Sequence, residues 1–257
     1  MLHDFASQKP NRLFVILGGF FIVNALVAEF IGVKIFSLEP SLGIPSFNWS
    51  LFGQNGSLMF TAGVLLWPVV FIMTDILNEY FGTHGVRFLS RLTAGLISYA
   101  FLMVFMAIRL HPADFWLESN AGNGLPDMQL AYQSIFGQSL WIIIGSLVAF
   151  LIGQLVDVLV FHKIKEKTGE KHLYLRSTGS TVVSQFIDSY VVLYIAFVIG
   201  PQKWPIALFL AIGTVNYLYK LGMAVILTPV IYAVHYIIES YLGQELADKM
   251  KKRAMQS

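Results

Sequence analysis

SIFGQSLWIIIGSLVAFLIGQLVDVLVF, residues 134–161, reads as a helix made for lipid. It exceeds the roughly 20 mostly apolar residues that cross a bilayer, and its one acidic or basic residue is Asp157. Working outward, five more segments read the same way: 13–38, 57–81, 88–110, 180–200 and 205–238. The last is long for one span. Dividing it would leave two short spans and carry the basic C-terminus to the opposite side, so we read it as one tilted or kinked helix, with Gly222 and Pro229 as kink points. The expected fold is an all-α integral membrane protein, a bundle of six transmembrane helices, forming a single domain over residues 1–257.

The composition agrees. Charged residues make up 12% of the chain, against about 25% in a soluble domain, which excludes the ordinary soluble classes. The net charge of +2 matters less than its distribution. One set of loops and helix ends holds Lys9, Arg12, Arg87, Arg91, Lys163, Lys165, Lys167, Lys171, Arg176, Lys249, Lys251, Lys252 and Arg253; the other holds Arg109 and Lys203. By the positive-inside rule both termini are expected in the cytoplasm. The basic stretch 163–176 reads as the topology determinant, facing anionic lipid. Residues 39–56 and 111–133 are rich in Pro, Gly, Ser and Asn and read as exposed external loops. Trp49, Trp67, Trp116, Trp141 and Trp204 fall mostly near helix ends, as an aromatic belt would. The chain has no cysteine, which excludes disulfides and thiol chemistry. The first apolar run is too long for a signal-peptide core and lacks a small-residue cleavage site, so no cleavable signal is expected.

Seven ionisable residues interrupt the apolar segments: Glu29, Lys34, Asp75, Glu79, Asp157, Asp188 and Lys220. A charge near the bilayer centre costs about 2.5–3.5 kcal/mol on insertion scales, so such residues face a polar cavity or a partner. Two share one pattern on consecutive helices, Gln154-x-x-Asp157 and Gln185-x-x-Asp188. The i,i+3 spacing puts each pair on one helical face, offering a carboxylate acceptor beside an amide that donates and accepts. Two such faces would surround a flat polar ligand. They would also serve as interhelical hydrogen bonds worth about 0.6–2 kcal/mol each; their repetition favours ligand or ion binding. Asp75, Asn78 and Glu79 share a face at the end of the second segment, with Gly82 as a C-cap. They read either as a wet interfacial cluster or as part of the same path. Asn24, Glu29 and Lys34 are five apart and form no tight stripe; Glu29 and Lys34 could neutralise each other, or Lys34 could snorkel to the surface. Asn216 and Lys220 share a face, and a buried ion pair of Lys220 with Asp75, Asp157 or Asp188 is expected as readily as substrate contact.

The histidines His3, His84, His111, His162 and His172 lie in loops or at helix ends without metal-ligand spacing, and no phosphate loop, nucleophile elbow or zinc motif is present. No metal, cofactor or enzymatic activity is therefore expected. Intramembrane proteolysis by paired aspartates would need a Gly-x-Gly-Asp motif, which the chain lacks.

FIMTDILNEYFG at 71–82, GQLVDVLVFHKIKEKTG at 153–169 and LRSTGSTVVSQFIDSYVV at 175–192 resemble the queuosine precursor transporter family, also called vitamin uptake transporters. NALVAEFIGVKIF at 24–36 is a looser match. The resemblance implies a multi-pass importer of the bacterial inner (plasma) membrane. Its substrate would be 7-cyano-7-deazaguanine, 7-aminomethyl-7-deazaguanine or queuine, salvaged for the queuosine modification of tRNA without direct contact with nucleic acid. On that reading Gln154, Asp157, Gln185 and Asp188 bind the base edge near the midplane. Asp75, Asn78 and Glu79 form the inner path or the second half of the site, Lys220 holds a carboxylate, and Glu29 meets the 7-substituent. Asn216 shares the Lys220 face. The expected partners are the 7-deazaguanine base and the lipid bilayer, with the oligomeric state open, a homodimer included. The alternative is a vitamin- or purine-type permease, or the substrate-binding subunit of an energy-coupling-factor transporter, which would need a partner ATPase.

Overall fold

The computed structural model describes residues 8–137, 140–168 and 173–255. His3, Lys171, His172, the side chain of Arg176, and Gln138 and Ser139 of the fourth segment lie outside the described residues. In a bilayer the backbone must satisfy its own hydrogen bonds, so the apolar runs fold as helices. Helix α1 (Lys9–Ile31) has Pro10 in its first turn, where no N–H is needed, and ends at Gly32. It buries Leu13, Leu17, Phe21, Asn24, Ala25 and Ala28 and turns Val15, Ile16, Phe20 and Val23 outward. The polar residues lie on the buried face, as they must when lipid is the solvent.

Helix α2 (Trp67–Ile108) is a hairpin folded at one residue, Gly82 (φ 68°, ψ −173°). Its first arm starts beside Ala28 of α1, where a Cβ on Gly63 would come within 2.7 Å of the Ala28 carbonyl. That arm ends with Phe81 edge-on to Phe14, ring centroids 5.0 Å apart. The second arm climbs back along α1: Leu89 fills the space beside Gly18, and Phe101 stacks on Phe30 at 5.4 Å. The two arms therefore run in opposite directions.

Helices α3 (Leu140–Thr168) and α4 (Leu173–Leu193, continued by a π-helical turn Tyr194–Ile199) pack closely and antiparallel. Glycines allow it: a Cβ on Gly145 would lie 3.0 Å from the Val192 carbonyl, and one on Gly153 would touch Phe71 and Asp188. Helix α5 (Ile206–Ile226) lies against α4, with Gly213 under the Tyr190 ring. Helices α6 (Thr228–Leu242) and α7 (Gln244–Ala254) close the end of the bundle that carries the described termini. There the Lys9 ammonium donates to the Tyr241 carbonyl at 2.7 Å, Tyr80 bonds His235 at 3.0 Å, and Lys251 pairs with Glu239 over the Tyr80 ring.

Five helical stretches among the described residues are long and apolar enough to cross a membrane: Lys9–Ile31, Ala62–Ile108, Met128–Thr168, Thr178–Ile199 and Ile206–Ile226. The chain is thus an all-α membrane protein, and several element bounds differ from the expected ones. The sixth segment breaks at Leu227. Pro229 lies in the first turn of α6 and has no N–H to continue α5, whereas Gly222 stays helical. Residues 134–136 of the fourth segment belong to a helix Met128–Phe136 that ends at Gly137, and the described helix Leu140–Thr168 runs past Phe161.

Residues 39–56 belong to a folded cap rather than a plain loop. Strand β1 (Ile35–Ser37) takes the end of the first expected span and pairs antiparallel with β4 (Met59–Thr61), which takes the start of the second. Strand β2 (Trp49–Leu51) pairs with β3 (Gln54–Gly56) through a turn at Phe52 and Gly53, both at positive φ. Glu39 is buried and accepts from the Leu58 and Phe47 amides at 2.8 and 3.2 Å. The cap docks on α5 through Trp49, Phe60 and Val64 against Ala211 and Val215, with Phe60 and Tyr219 rings 4.4 Å apart.

Candidate functional site

A column of buried polar side chains runs through the bundle between α2, α3, α4 and α5. Nearest the cap, Lys220 of α5 donates to Asp188 of α4, both shielded from solvent. Of the three carboxylates open to Lys220, the fold brings it Asp188. Beside this layer, Glu29 of α1 accepts from Ser146 of α3.

The middle layer holds the first Gln-x-x-Asp pair. The Gln154 carbonyl oxygen accepts from Thr74 at 2.7 Å on one arm of α2 and meets Ser90 at 3.5 Å on the other. One turn on, Asp157 is fully buried and accepts from Ser184 at 2.9 Å. Asp75 accepts from Ser180 at 3.4 Å, one turn before Ser184 on the same face of α4. In the layer nearest the termini, Asn78 bonds His162 at 3.1 Å and Glu79 is closed on Lys165 at 3.0 Å. This last pair is essentially inaccessible, with side chains 0% and 1% exposed.

Gln185 stands apart. It is 2% exposed, and neither its amide nitrogen nor its carbonyl oxygen has a partner among the described residues. An unmet buried polar group costs about 1–3 kcal/mol, so both atoms are poised for something the protein does not supply. Gln185 lines a pocket between α2, α4, α5 and α6, with Phe71, Ile72, Thr181, Lys220 and Ile231. The pocket is tight, about 10 Å3 of free space, roughly one water molecule. A ligand pocket is typically at least about 300 Å3, so this conformation is closed around the site.

The fold thus brings Gln154, Asp157 and Asp75 together in one layer, Asn78 and Glu79 below it, and Gln185 and Lys220 at the pocket, with Asp188 behind Lys220. Ser184 and Gln185 are neighbours in sequence but face different sides: Ser184 meets Asp157 and Gln185 lines the pocket. Asn216 stays out of it, donating to the Ile212 carbonyl one turn back in its own helix. Lys34 is exposed at the cap, beyond the end of α1.

Two functional-looking residues escaped sequence reasoning. Lys165 belongs to the basic stretch read as the topology determinant facing anionic lipid, yet it is buried on Glu79; His162, read as a loop or helix-end residue, bonds Asn78. A signal existed: Asp157, Phe161 and Lys165 are four apart and extend one buried face. Ser180 and Ser184 likewise stand eight and four residues before Asp188 on α4, and they supply hydroxyls to Asp75 and Asp157.

Residues 61–234 match the family model described as Putative vitamin uptake transporter. Among curated proteins, the chain is 30% identical over 185 residues to the Probable queuosine precursor transporter of Bacillus subtilis (strain 168), covering 71% of this chain and 73% of that one. It is 26% identical over 233 residues to the Probable queuosine precursor transporter of Haemophilus influenzae, covering 90% and 89%. It is also 26% identical over 200 residues to the Queuosine precursor transporter of Escherichia coli (strain K12), covering 77% and 80%. No solved structure gives a significant match.

Proposed function

The chain belongs to the vitamin uptake transporter family of queuosine precursor transporters, and on that premise we propose that it imports 7-deazaguanine bases across the bacterial inner membrane. The transporter role and the multi-pass membrane placement rest on the family and the apolar helices. The substrate, the inner membrane and the residue roles are our reading. Counting the two arms of α2 separately gives six spans in one domain, with both described termini at one end. The basic residues of that end support a cytoplasmic placement by the positive-inside rule.

The observation that carries the reading is the buried, unpartnered amide of Gln185 beside the Lys220–Asp188 pair. A deazaguanine presents a carbonyl O6, an N1–H with an exocyclic amine, and a pyrrole N–H. The Gln185 amide can donate to the carbonyl and accept from a ring N–H, so one planar base satisfies both atoms at once. Asp188 can accept from N1–H and the amine, with Lys220 holding it in place. Phe71 offers a ring face to the base. Gln154, Asp157, Asp75, Asn78 and Glu79 line the route between this pocket and the cytoplasmic end, and Glu29 stands toward the 7-substituent. The tight pocket is the closed resting form, which must open by movement of α2 or α5.

The test uses bacteria that neither make nor import queuosine precursors. They express this chain, receive a 7-deazaguanine base at low concentration, and have their tRNA assayed for queuosine by boronate-gel shift. We expect a shift with the native chain and none with Gln185→Leu present in the membrane at native level. No shift with the native chain in the membrane would refute the import of these bases and point to another purine or vitamin.

A further inference from the structure

We propose that the second arm of α2 carries a binding site for an anionic phospholipid, its phosphate held by Arg87 and Arg91 and an acyl chain lying over Phe88 and Leu92. The inference does not depend on what the protein transports. After the reversal at Gly82, this arm starts at the end of the bundle that carries the described termini and runs back into the apolar span. His84, Arg87 and Arg91 follow one another at spacings of three and four, so they share one face of the helix within about two and a half turns of the reversal. With Phe88 and Leu92 they line an open recess of about 600 Å3. That is roughly twenty times the share of one water molecule in the liquid, and far more than a single ion fills.

The arginines lack an anion of their own. Among the described residues neither has an ion pair or a hydrogen bond, and the Arg87 Nε is buried without an acceptor. At the same end, by contrast, Lys9 is tied to the Tyr241 carbonyl and Lys251 to Glu239. A guanidinium keeps its charge at any working pH and takes a phosphate through two parallel N–H groups. His84, nearest the reversal, adds a ring nitrogen that can donate to a phosphate or glycerol oxygen.

The surroundings select a lipid over a free anion. Phe88 and Leu92, each next in sequence to an arginine, are exposed and begin a second stripe beside the basic one. That stripe continues through Gly95, Tyr99 and Leu102 toward the far side of the bilayer, at spacings of three and four. Tyr99 and Leu102 are exposed, and nothing lies within 4 Å of where a Cβ on Gly95 would stand, which leaves a notch in the helix surface. Helical side chains lean toward the N-terminus of their helix, here toward the headgroups, so the guanidiniums reach the phosphate level while their stems stay among apolar groups. A phosphate on the basic stripe therefore lays its chain along the apolar one, which an inorganic anion would leave bare. Helix α7 packs against α2 and turns Lys249, Lys252 and Arg253 outward, drawing anionic lipid to this end without lining the recess.

The experiment uses the full chain, purified in detergent, stripped of lipid and given phosphatidylglycerol, phosphatidylethanolamine or inorganic phosphate, with bound lipid counted by native mass spectrometry. Two basic residues against an anionic lipid correspond to about thirtyfold in affinity. We expect phosphatidylglycerol to bind more tightly than phosphatidylethanolamine by about that factor, and Arg87→Gln/Arg91→Gln to bring the two lipids level. Lys249→Gln/Lys252→Gln removes the same charge outside the recess and should keep the preference. Should the double arginine variant fail to fold, Arg91→Gln alone, at an exposed position, should lose about fivefold. Equal losses in the arginine and lysine variants would reduce the effect to diffuse attraction and overturn the site. Displacement of the lipid by millimolar inorganic phosphate would assign the arginines to a free anion and overturn it as well. No preference in the native chain would remove the site outright.

Discussion

The two ends of the polar column solve the same energetic problem in opposite ways. Toward the termini, Glu79 closes on Lys165, and His162 meets the oxygen of Asn78, leaving its amide nitrogen unmet among the described residues. Toward the cap, the Lys220–Asp188 pair stands beside Gln185, whose amide meets nothing among the described residues. A buried charge is tolerable when paired, and a buried amide is costly when it is not. The first arrangement suits a seal that holds the bundle shut; the second suits a seat whose partner arrives from outside.

Removing one partner from the sealed end should have the largest effect. Lys165→Met removes the ammonium on which the buried Glu79 closes, and breaking a buried pair costs about 3–5 kcal/mol. We expect a clear loss of thermal stability in detergent, and recovery of most of it in Lys165→Met/Glu79→Leu. A single variant as stable as the native protein would show that the pair is hydrated and not a seal.

The hairpin of α2 comes next, because both arms meet the same oxygen of Gln154 through Thr74 and Ser90. Gly82 occupies a backbone region open almost only to glycine. Gly82→Ala should cost about 1–3 kcal/mol in the same denaturation assay. An unchanged transition would mean that the arms reverse by other means.

At the seat, stability and function should separate. Gln185→Leu removes two unmet polar atoms and breaks no hydrogen bond within the described residues, so its denaturation midpoint should equal or exceed the native value. Uptake should nevertheless be lost. A midpoint that falls as far as that of Lys165→Met would place Gln185 among the structural bonds and erase the contrast between the two ends.

How much of this could be read from sequence depends on which residue is asked about. Long apolar runs announce α1, α3, α4 and α5, because lipid leaves helix as the local solution. Gly82 was legible as a helix terminator, but hydropathy carries no term for a one-residue reversal. The cap was illegible: its strands are three residues long and sit among the Gly, Pro and Asn that mark loops. Lys165 was misplaced because counting lysines treats each as solvated, while its spacing from Asp157 put it inside. The Gln/Asp pairs stood out as polar residues in lipid. Their division between two clusters did not, since Ser184 and Gln185 point about 100° apart and only the neighbouring helices decide which faces what.

Glu39 in the cap offers a third treatment of a buried acid, and the smallest expected effect. Its carboxylate takes hydrogen bonds from the Leu58 and Phe47 amides and, among the described residues, from no cation, and these bonds hold its pKa below the ordinary 4.5, the Leu58 amide contributing most. A group whose folded value is lowered contributes stability in full above its unfolded value, and that contribution is lost as the pH falls through the folded one. The cap should therefore hold at neutral pH and loosen progressively below pH 4.5. Hydrogen exchange read at the Leu58 and Phe47 amides would show faster opening in acid, relative to the helix amides around Ile76, and Glu39→Gln should flatten that dependence. Equal acid sensitivity in native and variant chains would mean that the cap is held by Trp49 and Phe60 packing on α5, with Glu39 only filling the turn.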